Sequence, residues 1–393
     1  VWGQRPLLTR AAELPRDYSD LLSPGMVDEI VAERGVRTPF VRMAREGTLV
    51  DRACFTRSAG FGAQIADQLD PDGVLTQYAA GATLVLQGLH RFWPPIIDFV
   101  RGMTSDIGHP VQTNAYITPP ANRGFDPHYD VHDVFVLQVS GTKRWRVHEP
   151  VHHHPLADQP WTDHREAIAE RAKNEPVIDT VLEPGDCLYL PRGWVHSAEA
   201  QGETSIHLTV GVAPLTGHDV ATAMIEALAS EEELRASLPF GLAPVDAARA
   251  EPHAREVLDV LARLIAEKQD QLSALAGDAL AGKYLDLTRP AAIRPLATLD
   301  AVAALDADTQ LQLREGLHAR VDCTDSDADA GNPGTVVLRL PTKSVTFPAV
   351  CASALRAVLE GDPVSAGSLP GLDADDGLVV LRRLLREGVV VAL

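Results

Sequence analysis

The stretch Gly124-Phe-Asp-Pro-His128-Tyr-Asp130-Val-His132-Asp133-Val-Phe-Val-Leu-Gln-Val-Ser-Gly141-Thr-Lys143-Arg-Trp145 carries more chemistry per residue than any other part of the chain. His128 and Asp130 stand two apart. On extended backbone, residues i and i+2 project to the same face, so the two side chains can reach one ion together. Val134–Ser140 then reads as a strand, followed by Gly141 and the next strand, Arg144–His148.

A second stretch supplies a partner: Gly185-Asp-Cys-Leu-Tyr-Leu-Pro191-Arg-Gly193-Trp-Val-His196. It fits the second cupin motif, G-x5-P-x-G-x2-H, at every fixed position up to the histidine. The Pro-x-Gly turn feeds a strand that returns the histidine to a barrel interior. The motif's trailing Asn is replaced by Ala200. The first cupin motif is half present: Gly141 is in place, the metal-binding Glu expected near Val134 or Phe135 is missing, and His128-x-Asp130 replaces HxH.

This departure points to two histidines and one aspartate, His128, Asp130 and His196, as metal ligands and the catalytic centre. Such a facial triad leaves three adjacent positions open on an octahedral ion, which suits Fe(II) with a bidentate 2-oxo acid and O2. A closed structural zinc site would take four protein ligands. A 2-oxo diacid also needs a cation for its far carboxylate. Lys143, fifteen residues after His128 and on the next strand, is the candidate. Asn114 and Tyr116 alternate on the preceding strand and are candidate hydrogen-bond donors to the same acid. His207 is either a further cavity-lining residue or a core histidine.

Together, Asn114-Ala-Tyr116-Ile-Thr-Pro-Pro, Pro127-His128-Tyr-Asp130, Phe135-Val-Leu-Gln138, Gly141-Thr-Lys143-Arg-Trp145 and Pro191-Arg-Gly-Trp-Val-His196 resemble the JmjC ribosomal oxygenases, the cupin-4 family. The opening Trp2-Gly3-Gln4-Arg5-Pro6-Leu7-Leu8 is similar to that family's N-terminal segment. The resemblance implies an α+β chain: a JmjC/cupin double-stranded β-helix, a helical dimerisation segment and a C-terminal winged-helix-like domain. It implies Fe(II), 2-oxoglutarate and O2, and hydroxylation of an Arg or His side chain in a ribosomal protein. Carried over, His128, Asp130 and His196 match the metal ligands, and Lys143 matches the binder of the 2-oxoglutarate carboxylate. Three other readings stay open: hydroxylation of another protein or a precursor peptide, N-methyl demethylation by a JmjC enzyme, and a non-catalytic cupin that binds a peptide.

The remaining sequence sets the frame. At 393 residues, 45% hydrophobic and 23% charged, the chain reads as a folded multidomain protein. No apolar run reaches the length of a membrane span, and the first residues lack the apolar core of a signal peptide. The net charge of −19 disfavours duplex DNA and favours a basic protein or peptide as partner. Cys54, Cys187, Cys323 and Cys351 stand far apart with no CxxC pair, which excludes a cysteine zinc site and points to the reducing cytoplasm. His152-His153-His154 reads as adventitious, since neighbouring residues on extended backbone point apart. No Walker loop, dinucleotide-binding turn or nucleophile elbow is present.

Pattern changes divide the chain into 1–214 (catalytic), 215–289 (helical, dimerising) and 290–393 (winged-helix-like). Expected strands are Arg37–Met43, Gln112–Thr118, Val134–Ser140, Arg144–His148, Val177–Leu182, Cys187–Leu190, Val195–Glu199 and Ser205–Val212, with Glu149–Glu175 as an insertion. Expected helices include Ser23–Arg34, His218–Ser237, Pro252–Ala276 with Gly277 as its stop, and Asp308–His318. The apolar residues of the helical segment, among them Leu258 and Ile265, predict a symmetric homodimer. The last unit, Asp300–Leu393, holds 8 Arg or Lys against 14 Asp or Glu, a poor surface for DNA.

Overall fold

In the computed structural model the described residues are 1–45, 47–120, 126–240, 242, 247–323 and 334–393. They form two units, Val1–Pro214 and Leu215–Leu393. In chain order the first unit contains β1 (Leu7–Thr9), α1 (Pro24–Ala32), β2 (Val41–Arg45), β3 (Thr48–Leu49), β4 (Thr56–Arg57), β5 (Gln68–Leu69), α2 (Pro71–Ala79), β6 (Thr83–Leu86) and α3 (Pro94–Ile107). There follow β7 (Val111–Thr118), β8 (Asp133–Ser140), β9 (Lys143–His148), α4 (Arg165–Arg171), β10 (Ile178–Leu182), β11 (Cys187–Leu190), β12 (Val195–Ala200) and β13 (Ser205–Val212).

Side-chain alternation on the central strands sets the layers. Ala115 and Ile117 of β7, with Leu208, Val210 and Val212 of β13, enter one core with Ile96 and Val100 of α3. The residues between them, Tyr116, Thr118, His207 and Thr209, face the other way and line a cavity. The large sheet runs β1-β11-β8-β13-β7-β6-β2-β3, and a three-stranded sheet, β10-β9-β12, supplies Lys143, Trp145, His196 and Ala198 to the same cavity. A large and a small antiparallel sheet enclosing a pocket is the double-stranded β-helix that the motifs imply.

Local chemistry explains the boundaries. Ser23 caps α1 by accepting from the Met26 N–H, and Pro24 occupies the first turn. Pro94 starts α3 in the same way, and Gly108 ends it in the left-handed region at φ +72. The strand expected at Arg37–Met43 begins only at Val41, beyond Pro39. The N-terminal strand β1, not foreseen, pairs with β11, Leu8 opposite Leu188.

The second unit contains α5 (Gly217–Ala227), α6 (Glu232–Arg235), α7 (Ala247–Glu267), α8 (Gln269–Leu287), α9 (Pro295–Ala304), β14 (Leu311–Leu313), β15 (Arg320–Cys323), β16 (Thr335–Arg339), β17 (Ser344–Pro348), α10 (Ala352–Leu359), α11 (Ala374–Arg386) and β18 (Val390–Ala392). Three expectations are corrected here. The helix expected at Asp308–His318 is a strand: the Asp306 carboxylate closes a turn by accepting from the Asp308 and Thr309 N–H groups, and β14 then pairs with β18. The long helix expected to stop at Gly277 instead breaks at Lys268, and Gly277 lies inside α8. Packing overrides the glycine penalty, because Leu272 and Ala276 are buried and Lys283 on α8 holds Asp219 of α5 at 2.6 Å. The helix expected over His218–Ser237 ends at Ala227 and resumes as the short α6. The stretch Asp322–Asn332, whose four aspartates read from sequence as a solvated loop, lies mostly outside the described residues. Among them, no helix is long and apolar enough to cross a membrane.

Candidate metal centre

His128 and His196 are held opposite each other by an isolated antiparallel bridge. The His128 N–H donates to the His196 carbonyl at 3.1 Å, and the His196 N–H donates to the His128 carbonyl at 2.8 Å. The Gly193 N–H donates to the Asp130 carbonyl at 3.0 Å, which fixes the third residue to the same turn. Gly193 has φ +88, and a Cβ there would lie 2.5 Å from the His152 carbonyl oxygen, so only glycine fits.

Potential ligand atoms of His128, Asp130 and His196 all lie within 4.8 Å of one another. His196 Nε2 is 3.7 Å from Asp130 Oδ2. His128 Nδ1 bonds the Asp126 carbonyl at 2.7 Å, and His196 Nδ1 bonds the Trp194 carbonyl at 3.0 Å. Backbone bonding of this kind commits Nδ1 and leaves Nε2 as the candidate ligand atom. Burial, with the like charge of His128 beside it, pushes the His196 imidazole down to about 4. Burial alone would raise the Asp130 carboxyl, but the imidazoles of His196, His132 and His128 outweigh it and hold the group below the usual carboxylate range. Both shifts favour neutral imidazole and ionised carboxylate, the forms that bind a divalent ion.

The triad opens into a cleft lined by polar and apolar side chains of both sheets, among them Tyr116, Thr118, Lys143, Trp145 and His207. At its wall Lys143 is 3% exposed. Its ammonium donates to Thr118 Oγ1 at 2.9 Å, and burial lowers it to about 7. Among the described residues no carboxylate pairs with it. The hairpin that carries it is tightly built. The Gln138 side-chain amide donates to the carbonyls of Ser140 and Gly141 at 3.0 and 2.9 Å and to Ser205 Oγ at 2.9 Å. Gly141 takes φ +61, where a Cβ would sit 2.1 Å from the Thr204 carbonyl oxygen.

His207 lines the same cavity. Its ring stacks on Tyr116 at 5.1 Å and meets Trp145 edge-on at 5.5 Å. Burial, reinforced by Lys143, pushes it well below its ordinary value, so it is neutral. Three lining residues carry buried polar atoms without a hydrogen-bond partner: Thr83 Oγ1, Trp145 Nε1 and His207 Nδ1. An unpaired buried ammonium with orphaned donors around it fits a polar anionic ligand.

Asn114 is placed differently. Its Oδ1 accepts from the Gly88 N–H at 2.9 Å, and it is not among the lining residues. His152 bonds Gln159 instead of joining a metal cluster. Thr118 was missed, although it continues the same-face series Asn114, Tyr116, Thr118. Thr83 has no motif around it and could not have been found from sequence.

Two sheets enclose the His-Asp-His group, and residues 91–220, which carry it, match the family model for the JmjC domain. More particularly, the relatives include proteins named Ribosomal oxygenase 1 and NO66. A stretch of 211 residues, 53% of this chain, is 32% identical to Ribosomal oxygenase 1 of Bos taurus and covers 30% of that protein. Another of 212 residues, 50% of this chain, is 34% identical to the bifunctional lysine-specific demethylase and histidyl-hydroxylase NO66 of Drosophila erecta and covers 29% of it. The chain thus spans less than a third of the length of these relatives. The X-ray structure of E. coli ycfD shares the fold, with a TM-score of 0.51 at 17% identity over 100% of this chain and 96% of that one.

Proposed function

We propose that this chain is an Fe(II)- and 2-oxoglutarate-dependent oxygenase that hydroxylates an Arg or His side chain of a ribosomal protein. The observation that carries the reading is Lys143, a buried ammonium with no carboxylate partner, in the same cavity as the two-histidine, one-aspartate set. The names of the aligned relatives, a ribosomal oxygenase and a histidyl-hydroxylase, support the substrate class.

His128, Asp130 and His196 would hold the iron, which when bound supplies O2 activation coupled to decarboxylation of 2-oxoglutarate to succinate. Lys143 and Thr118 receive the far carboxylate, and binding of that anion holds the lysine protonated. Tyr116 and His207 wall the same pocket, and their stacked rings limit the space beside the acid. Asn114 acts one step back, by fixing the Gly88 turn. The protein contributes geometry and exclusion of water.

The second unit supports the domain reading in outline. Leu228, Leu264 and Leu272 form their own cluster, whereas Ile225, Leu258 and Ile265 stay exposed, Leu258 at 62%. That surface supports a homodimer through 215–289. Helices α9, α10 and α11 with the sheet β15-β16-β17 support a winged-helix-like arrangement in 290–393. The acidic chain favours a basic substrate polypeptide over DNA, and a ribosomal substrate is consistent with activity in the cytoplasm.

The test is a mass-spectrometric survey of ribosomal proteins incubated with the enzyme, Fe(II) and 2-oxoglutarate. A gain of one oxygen on a single Arg or His is expected. Demethylation is the second reading, favoured by the printed name of the NO66 relative; formaldehyde release from methylated peptides with no oxygen gain would establish it instead. Absence of both products would leave a peptide-binding cupin.

A further inference from the structure

Tyr129 stands between the ligands His128 and Asp130, and alternation sends it away from the metal side. It is 1% exposed and packs in a small cluster with Val195, the residue before His196, and Ile168 of α4. Its hydroxyl donates to the Gln159 carbonyl at 3.0 Å. Gln159 belongs to the insertion between β9 and β10, and it closes that loop on itself. Its Oε1 accepts from the Leu156 N–H at 2.9 Å and from His152 Nε2 at 3.0 Å, and its own N–H donates to the Leu156 carbonyl at 3.0 Å. The loop also abuts Gly193, the residue that bonds the Asp130 carbonyl, through the His152 carbonyl oxygen. Trp161, from the same insertion, has its ring 6.0 Å from that of His128.

The insertion therefore touches the centre at each ligand: beside His128, behind the peptide joining His128 to Asp130, at the glycine that holds Asp130, and at the neighbour of His196. We infer that this insertion is a buttress for the metal centre, and that Gln159 and Tyr129 are positioning residues that set the separation of the two histidines and the aspartate. The inference rests on the proposed metal site. Its physical basis is that ligand geometry is as tight as the packing behind it. The HxD segment precedes β8, and outside the His128–His196 bridge it has no strand ladder of its own.

The test is Co(II) titration of the metal-free full chain by calorimetry, with the thermal midpoint measured on the same samples. Gln159→Ala and Tyr129→Phe are expected to weaken Co(II) binding about fivefold or more, since partners bonded directly to ligands are worth 10- to 100-fold. Gln159→Glu keeps the oxygen acceptor and is expected to return to within about twofold of wild type. A purely structural role would lower the thermal midpoint and leave the affinity of the folded protein unchanged, and that result overturns the buttress. Should Gln159→Ala fail to fold, Tyr129→Phe, which removes one oxygen, decides alone. A wild-type chain that takes up no Co(II) overturns the metal reading and the buttress with it. Normal wild-type binding with unaltered variants overturns the buttress only.

Discussion

Lys143 on β9 and Thr118 on β7 meet across the cavity, ammonium to hydroxyl at 2.9 Å, and no carboxylate among the described residues shares that bond. A buried cation with a neutral partner is costly unless an anion arrives. The pair therefore reads as a half-finished site, and its completion is the first thing to test.

Lys143→Ala should weaken 2-oxoglutarate binding by about 10- to 100-fold, because a charged hydrogen bond is worth roughly 1.5–3 kcal/mol. Lys143→Arg should be milder, limited by the larger guanidinium. Calorimetry with the metal-loaded protein measures it. Unchanged affinity in Lys143→Ala would assign the far carboxylate to another cation, Arg144 being the next to examine.

The same lysine predicts a pH effect on the ligand-free protein. Its folded value, about 7, lies below the ordinary value of 10.5, so the unfolded chain binds the extra proton between those limits. Stability from this group is lowest below about pH 7 and increases as pH rises from about 7 toward 10. The difference in melting temperature between wild type and Lys143→Met should therefore shift in favour of wild type over that window. A constant difference would mean that Lys143 is not held near neutrality.

His128→Ala and Asp130→Ala should each abolish iron-dependent 2-oxoglutarate turnover with the circular dichroism spectrum retained. Removing either leaves two protein ligands where three are needed for the facial set. Full turnover in either variant removes the triad assignment.

Gly141→Ala should destabilise the fold by about 1–3 kcal/mol, since alanine is strained at positive φ. The added methyl would also meet the Thr204 carbonyl oxygen at 2.1 Å, so the hairpin carrying Lys143 must shift. Weaker 2-oxoglutarate binding should accompany the lower melting temperature. Wild-type behaviour in both would show that the turn has room to relax.

Leu258→Asp with Ile265→Asp should convert the expected dimer to a monomer, because both side chains are exposed on α7. Light scattering at micromolar concentration reads the mass. A monomeric wild type removes the dimer proposal outright. Substrate peptide binding should also weaken as salt rises, given the −19 charge.

Local pattern alone determined much of this protein. Short β-branched and aromatic runs bounded by turn residues located β7, β8, β11 and β13 to within a residue or two, because a strand buried on both faces leaves a continuous apolar record. That His128, Asp130 and His196 come together was legible because a candidate metal set restricts both residue type and spacing, and the Pro191-x-Gly193 turn leads the chain back beside His128. Tertiary structure decided the rest. Asn114 shares a face with Tyr116, yet its amide is taken by Gly88, a residue 26 positions away that no spacing rule connects to it. Gly277 reads as a helix stop, yet α8 continues through it because the helix is held by packing. Leu311–Leu313 carries a helix-like stretch around it, yet it pairs with the last residues of the chain. Thr118, Tyr129 and Gln159 acquire their proposed roles only through partners that folding brings from distant strands and loops, and Thr83 through its place on the cavity wall. Local sequence encodes backbone preference and ligand type, and long-range contact selects which polar atoms are satisfied by the protein and which are left for a ligand.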